Sequence, residues 1–373
     1  MKKQKPYSVK KFINDVHLWL GLISGLVLFL VCLSGTILTF EKEIKGWFSS
    51  PMIVSSDVNF QPLSNIVSNV EQRTGGKVIS ITLPEATAAP YELRVKTDPT
   101  SRRGTAFEVH PETGEIVKPG KTPVDEFMMF MFRMHRWLLL DTSVGRPIVG
   151  VSTIIFLIIS ITGIILWFPK KWKWRNFRQG FTIKTSGNWK RINHDLHNTL
   201  GFYACVFIVI MGITGLCWSF EGYRDGLGKI VGAPIFGGNT EKFITVLEDE
   251  VEKISLNDVK SLTDKEFPYS GKITISLPLG DEGVYQIRKY NTAGWSPVAT
   301  DVLVLDLYGS VLLKEFFSEK PLNVQFASLI KPIHTGEIFG IFSKWIYFIA
   351  CLIATSLPVT GTLIWWNKRK KKR

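Results

Sequence analysis

Four stretches of this sequence, roughly 17–40, 146–168, 195–220 and 342–366, are apolar for longer than the about 18 residues that a helix needs to cross a bilayer. Nothing else in the chain narrows the fold as much, because a single segment in hydrocarbon can satisfy its backbone only as a helix. The first and third runs also resemble each other. His17-Leu-Trp-Leu-Gly21 opens one, and His197-Asn-Thr-Leu-Gly201 opens the other 180 positions later. Eighteen residues after each histidine stands a glycine (Gly35, Gly215), and six further on a glutamate after phenylalanine (Glu41, Glu221).

Charge gives the runs an orientation. The segments 1–16, 169–193 and 367–373 hold 19 Lys and Arg against one acid, Asp15, while the rest of the chain holds 26 basic and 31 acidic residues. Short basic flanks stay on the cytoplasmic side. Both termini are therefore expected inside, with the long loops at about 42–145 and 221–340 outside. Nucleic-acid binding, the other common meaning of a net charge of +13, does not suit charge confined to membrane flanks. The first run is too long for a signal-peptide core, and its internal copy cannot be a signal, so an uncleaved helix is expected. All four cysteines (Cys32, Cys205, Cys217, Cys351) fall inside the apolar runs, where they read as small packing residues.

Each outer loop carries the pattern of a small α+β module. In the first, a helix is expected over Leu63–Thr74, then a strand near 78–83 and Tyr91-Glu-Leu-Arg-Val-Lys96. The sequence then reads strand, Pro-Glu-Thr-Gly turn, strand over 107–117. In the second, a helix is expected over 251–266 and strands at 272–277, Tyr285-Gln-Ile-Arg-Lys-Tyr290 and from Leu303 onward. Both loops return to the membrane through a Phe-rich approach bearing one histidine, His135 or His334. The subsequent spans close on Thr162-Gly163-Ile-Ile-Leu-Trp167 and Thr360-Gly361-Thr-Leu-Ile-Trp365.

The expected fold class is thus an integral membrane α-helical protein, with four transmembrane helices as a duplicated two-helix unit and two small α+β outer modules. The segments are a basic tail (1–16), first span (17–41), first module (42–123), approach helix (124–145), second span (146–168) and basic connector (169–193). They continue with the third span (194–220), second module (221–320), approach segment (321–341), fourth span (342–366) and basic tail (367–373).

Four of six histidines occupy matching places in the two halves. His17 and His197 lie at the inner ends of their spans, His135 and His334 at the outer surface. Along the helices from His17 and His197, positions +4, +7, +8, +15 and +18 lie within about 80° of each histidine and are all small. They include Gly21, Gly25 and Gly35 on one span and Gly201 and Gly215 on the other. Such a stripe suits close helix packing, and equally a groove for a flat prosthetic group. Two imidazoles facing across a bundle can supply both axial ligands of a haem iron. Zinc would want further Cys or carboxylate ligands, and a proton relay would want acids at mid-membrane. Two b-type haems are expected, one held by His17 and His197 and one by His135 and His334, paired by depth.

His110 stands where the second module has Asp306, and reads as a turn residue. His194 precedes His197 by three on the same face and is an alternative ligand to it, or a ligand to an additional haem. Arg133, Arg136, Arg146, Lys331 and Lys344 suit haem propionates as well as membrane-edge snorkelling. Arg94, Lys96, Arg102 and Arg103 could attract an acidic chelate. No Gly-x-Gly-x-x-Gly opens a helix after a strand, so no nucleotide site is evident and the electron donor is expected to be a separate molecule.

His-x-x-Leu-Gly opening a span, a later Gly and Glu at its exit, and Thr-Gly-x-x-Leu-Trp closing the next together resemble the PepSY-associated transmembrane family. The outer modules, with Tyr-x-Leu/Ile-Arg and the Pro-Glu-Thr-Gly turn, look like its PepSY modules. That resemblance implies a bacterial inner-membrane protein with periplasmic outer loops, like the iron-regulated members that are di-haem ferric-siderophore reductases. It implies haem ligands at His17, His135, His197 and His334, a ferric chelate as periplasmic substrate, and a cytoplasmic or membrane-borne electron donor. The second module has Asp306-Leu-Tyr-Gly309 in place of the Pro-Glu-Thr-Gly turn. A non-enzymatic PepSY protein that regulates a peptidase or senses a ligand is the alternative. A transporter subunit for the chelate would want polar mid-membrane residues, and the spans show few.

Overall fold

Ser8 accepts a hydrogen bond from the backbone N–H of Lys11 and caps a helix that starts well before His17. The amphipathic lead-in and the first apolar run are therefore one helix. The computed structural model describes residues 8–48, 60–86, 89–98, 104–118, 122–236, 243–248 and 251–370. The principal helices are α1 (Val9–Leu38), α2 (Leu63–Thr74), α3 (Pro123–Trp137), α4 (Thr142–Trp167), α5 (Trp189–Ser219), α6 (Leu256–Glu266), α7 (Ile330–Thr335) and α8 (Gly340–Lys370). Arg102 and Arg103 lie outside the described residues.

The chain divides into two compact units, the first comprising Met1–Lys42, Phe127–Ile235 and Ile330–Arg373. Its helices α1, α4, α5 and α8 are each long and apolar enough to cross a membrane. α1 packs on α4 and α8, and α5 packs on the same two. The result is a four-helix bundle with α1 and α5 on a diagonal. Ala204, Ile208, Ala350 and Ala354 form one buried cluster in it. Buried hydroxyls satisfy themselves on the preceding turn, as Ser34 does on the Leu30 carbonyl, Thr214 on Ile210 and Thr355 on Cys351. Large apolar side chains point outward, Ile23, Leu26 and Val206 among them. Small and polar inside with apolar outside is the reverse of a soluble bundle and suits a lipid surround.

A sharp reversal joins α3 to α4. Leu138 and Leu139 take φ values of 56° and 61°, and Asp141 caps α4 by accepting from Ser143 N–H at 2.9 Å. A Cβ at Gly145 would lie 2.0 Å from the Trp137 carbonyl oxygen, so no larger residue fits there.

The second unit comprises Glu43–Glu126 and Phe236–Leu329. Its strands are β1 (Lys77–Leu83), β2 (Tyr91–Lys96), β3 (Thr105–Val109), β4 (Ile116–Lys118), β5 (Ile273–Ser276), β6 (Tyr285–Tyr290), β7 (Thr300–Leu305) and β8 (Val311–Glu315). The strands that the sequence assigns to two separate modules form one antiparallel sheet, ordered β4-β3-β2-β1-β5-β6-β7-β8. β1 and β5 join it at the centre, Ser80 opposite Ser276 and Thr82 opposite Thr274. Apart, each would present an open edge of unpaired amides; paired, both edges vanish. Alternate residues of the sheet share one core with α2 and α6, including Ile66, Val70, Ile81, Leu93, Val259, Phe267 and Ile287. Ser255 caps α6 by accepting from Asp258 N–H, so this helix starts five residues later than periodicity alone suggests.

His110 does the work of a turn residue. Its Nδ1 accepts from Glu112 and Thr113 N–H before Gly114, and Asp306 Oδ1 accepts from Tyr308 and Ser310 N–H around Gly309. Imidazole and carboxylate thus close two turns in the same way. Lys289 takes in β6 the place that Val95 takes in β2. It is 2% exposed, with Nζ donating to Asp264 Oδ1 at 2.6 Å and to the Phe267 carbonyl at 2.9 Å.

Candidate functional site

Two pairs of histidines stand in the first unit. His17 on α1 and His197 on α5 face each other across the diagonal, with ring centroids 6.2 Å apart and planes at 90°. His135 on α3 and His334 on α7 form the second pair, also 6.2 Å apart, with planes at 55°. These are the pairs that depth in the sequence suggests. His135 rests against Gly35, eighteen residues along α1 from His17 and thus about 27 Å up the helix.

All four rings are held alike. His17 Nδ1 lies 3.1 Å from both the Ile159 carbonyl and Thr162 Oγ1. His197 Nδ1 lies 2.9 Å from Thr360 Oγ1, with the Leu357 carbonyl as a further backbone partner. His135 Nδ1 lies 2.8 Å from the Val31 carbonyl. His334 Nδ1 lies 3.0 Å from the Met211 carbonyl and 3.1 Å from Thr214 Oγ1. Carbonyls only accept, and each threonine hydroxyl already donates to a carbonyl of its own helix. Nδ1 must therefore carry the hydrogen in every ring. That leaves the lone pair on Nε2, which no described residue hydrogen-bonds. An imidazole fixed in this tautomer by a carbonyl behind it is a prepared metal ligand.

Behind each ring is a glycine four residues beyond the accepting carbonyl. A Cβ there would stand 3.3 Å from His17 Cε1 at Gly163, 3.2 Å from His197 Cε1 at Gly361, 3.0 Å from His135 Cε1 at Gly35 and 3.0 Å from His334 Cε1 at Gly215. The sequence groups Gly35 and Gly215 with the histidines of their own helices; the structure sets them against the other pair. Gly163 and Gly361, read in the sequence only as span-closing residues, back the inner pair. The signal was present, since every span carries Ser-Gly or Thr-Gly at this point: Ser34-Gly35, Thr162-Gly163, Thr214-Gly215 and Thr360-Gly361. Of the other stripe glycines, Gly21 faces open space, Gly25 faces Pro358 and Gly201 faces Leu357.

α5 is not regular at its histidine. Residues Leu196–Leu200 form a π-helical turn between two α-helical stretches. Such bulges re-aim side chains and gather at functional sites, and this one carries His197. A cavity of about 440 Å³ lies around the inner pair, lined by His17, His197, Gly21, Gly163, Gly201 and Gly361 with Phe156, Phe202 and Ile208. His194 is on its lining too, but its side chain is 56% exposed, with Nδ1 3.6 Å from Asp195 Oδ1 and no glycine behind it. It is outside the His17–His197 pair.

Around the outer pair, the Trp218 ring is 5.2 Å from that of His334. Arg136 lies over Phe132 and Trp137, and Lys344, only 5% exposed, lies over Phe40. Burial acts to raise the Glu337 pKa, but the ion pair with Lys42 at 2.6 Å, with Lys344 and Lys331 beyond, holds it below the usual carboxylate value. Among the described residues, Arg146 Nε is buried without a hydrogen-bond partner.

The donor sets fit a planar macrocyclic metal group. Imidazole–metal bonds are about 2 Å long, so two rings facing one ion through Nε2 have centroids about 6 Å apart, as both pairs do. A bare zinc ion would need about four protein ligands. Among the described residues no three His, Cys, Asp or Glu side chains gather to hold an ion. Two opposed imidazoles complete an ion that brings its own equatorial donors. Glycines behind the rings leave them room to stand upright, and an apolar cavity adjoins the inner pair.

The family model for the PepSY-associated TM region matches residues 15–368, nearly the whole chain and all four histidines. No curated protein matches the chain.

Proposed function

We propose, from the premise that this chain belongs to the family of PepSY-associated TM regions and is a membrane protein, that it carries electrons through two b-type haems to a ferric chelate. The observation that carries this reading is the fourfold repetition of one arrangement. Each histidine donates from Nδ1, is backed by a glycine and keeps Nε2 free, and the four combine into two pairs of equal spacing. We also read the chain as two copies of a span–module–histidine–span unit. The matching histidine settings and the strand order, symmetrical about β1 and β5, support that reading.

His17 and His197 would hold one haem, His135 and His334 the other. A haem bound in this way would supply a one-electron centre. The chain's own part is to fix and insulate. The carbonyls of Ile159, Val31 and Met211 and the hydroxyls of Thr162, Thr214 and Thr360 lock the tautomers and raise the basicity of Nε2. An apolar core of Ala204, Ile208, Ala350 and Ala354 stands between the pairs. With both termini placed in the cytoplasm by charge, the His17–His197 pair faces the donor side. The His135–His334 pair faces the periplasm, where the substrate waits. Iron(III) gains one electron and becomes iron(II), whose grip on hard oxygen donors is weaker, so a siderophore releases it. The electron comes from a separate cytoplasmic or membrane-borne reductant.

The test is direct. Protein reduced anaerobically and freed of excess reductant is mixed with a ferric hydroxamate chelate. Its haem bands should return to the oxidised form while an iron(II)-specific chelator develops colour in step. Bands that stay reduced, with no iron(II) captured, would refute the reductase reading. The alternative, a non-enzymatic protein that regulates a peptidase or senses a ligand, gives the sheet a role but leaves the four matched histidine settings without one.

A further inference from the structure

We propose that Lys10 and Lys368 are carboxylate anchors of the inner site, drawing the acid groups of its ligand to one end of the cavity. The inference rests on the haem reading above and adds to it which residues receive the propionate groups. The cavity around His17 and His197 is apolar over most of its wall, but Lys10 and Lys368 both line it, with Asn14 and His194 beside them. Among the described residues, no aspartate or glutamate lines it. An apolar pocket with two ammonium groups and no acid of its own suits a ligand that is greasy in the middle and anionic at the edge.

Spacing places the two lysines together. Lys10 precedes His17 by seven residues, and Lys368 comes seven after Gly361, the glycine behind His197. Seven residues are nearly two full turns, so each lysine returns to the face of its partner about 10 Å further along the helix. Both lysines thus lie beyond the histidines in the same direction, one on α1 and one on α8, which pack side by side.

The nearby acids are engaged elsewhere. Asp195 accepts from Arg191 Nε at 2.8 Å and from Lys184 N–H at 3.2 Å, and Asp15 accepts from Asn14. Among the described residues Lys10 Nζ donates once, to the Phe168 carbonyl at 3.0 Å, which leaves two of its three N–H groups for a ligand. Lys368 forms no ion pair among the described residues, whereas the next residue, Arg369, stacks on Trp365 at 5.0 Å. Lysines at span ends commonly snorkel out to headgroups. Snorkelling alone does not explain why both line the cavity that holds the histidines.

Positive charge beside a redox centre favours its reduced, more negative form. The test is a potentiometric titration of the purified full-length protein, monitored at the haem α band, for wild type, Lys10→Gln/Lys368→Gln and the charge-keeping Lys10→Arg/Lys368→Arg. One of the two haem components should move to a more negative potential, or be lost, in the Gln pair; the other should stay, and the Arg pair should resemble wild type. Lys368→Gln alone, at an exposed helix end, should give part of the same shift without disturbing packing. Two full components at unchanged potentials in the Gln pair would overturn the anchors while leaving the haem reading intact. A wild-type protein with no haem at all would overturn both.

Discussion

His334 Nδ1 lies 3.0 Å from the carbonyl of Met211, and the ring stands edge-on to Gly215, four residues further along the same helix. The carbonyl fixes which nitrogen carries the hydrogen, and the missing side chain gives the ring its place. Much of the site's behaviour stems from this relationship and its three counterparts.

Adding one methyl group behind a ring should disturb one pair and spare the other. In Gly215→Ala the new Cβ would stand 3.0 Å from His334 Cε1, so the imidazole must move. Overpacking of this kind costs about 1–3 kcal/mol. Haem content should fall towards one per chain, with the remaining component spectrally unchanged. Gly222→Ala, with nothing within 4 Å of the added atom, should bind haem like wild type.

The hydroxyl behind His197 should matter more than the one behind His17. Thr360 Oγ1 lies 2.9 Å from His197 Nδ1, closer than Thr162 Oγ1 at 3.1 Å from His17 Nδ1, and each ring also has a backbone carbonyl partner, Leu357 or Ile159. Loss of such a partner typically lowers metal-group affinity about 10–100-fold. Thr360→Val should approach that range in a haem-transfer assay to an apo-acceptor, and Thr162→Val should fall short of it.

Acid should loosen the end of the bundle near the outer pair. The Glu337 carboxyl is held below its ordinary pKa despite burial, because Lys42, Lys344 and Lys331 favour its charged form. A depressed carboxylate stabilises the fold fully above the unfolded-state pKa, about 4.3, and that contribution is lost as pH falls through the lower folded value. Thermal midpoints should therefore decline below about pH 4, and Glu337→Gln should flatten that part of the profile. An identical decline in the variant would remove Glu337 as its cause.

In the sheet unit, Lys289 is buried and bonded, but its partner Asp264 has a side chain that is 42% exposed. Lys289→Ala leaves a gap and an acid that water can reach. The loss should sit at or below the low end of the about 3–5 kcal/mol found when buried pairs are broken. Lys289→Val should recover part of it, since Val95 fills the corresponding place in β2. Chemical denaturation that ranks Val below Ala would contradict this.

The four spans were legible because hydrocarbon leaves an apolar segment one conformation, and length with composition reports it. The histidine pairs were legible through matching positions in the two halves. The rest depended on contacts between helices that no single stripe records. Gly35 lies on the same face as His17, yet its neighbour across the interface is His135. That exchange depends on α3 folding back through Leu138 and Leu139 in left-handed conformation, which sequence does not favour. Merger of the two modules was equally hidden, because β1 and β5 alternate like any half-buried strand and nothing in that pattern names the partner. The π turn at Leu196–Leu200 has no sequence mark either.

Haem counting tests the central claim most directly. Protein expressed with ample haem, purified, and measured by reduced-minus-oxidised visible spectroscopy with pyridine haemochrome quantification should show two b-type haems per chain with six-coordinate, low-spin bands. His17→Ala and His135→Ala should each retain one, with different residual spectra. A wild-type protein without a dithionite-sensitive Soret band, or either variant retaining two full haems, would contradict the account.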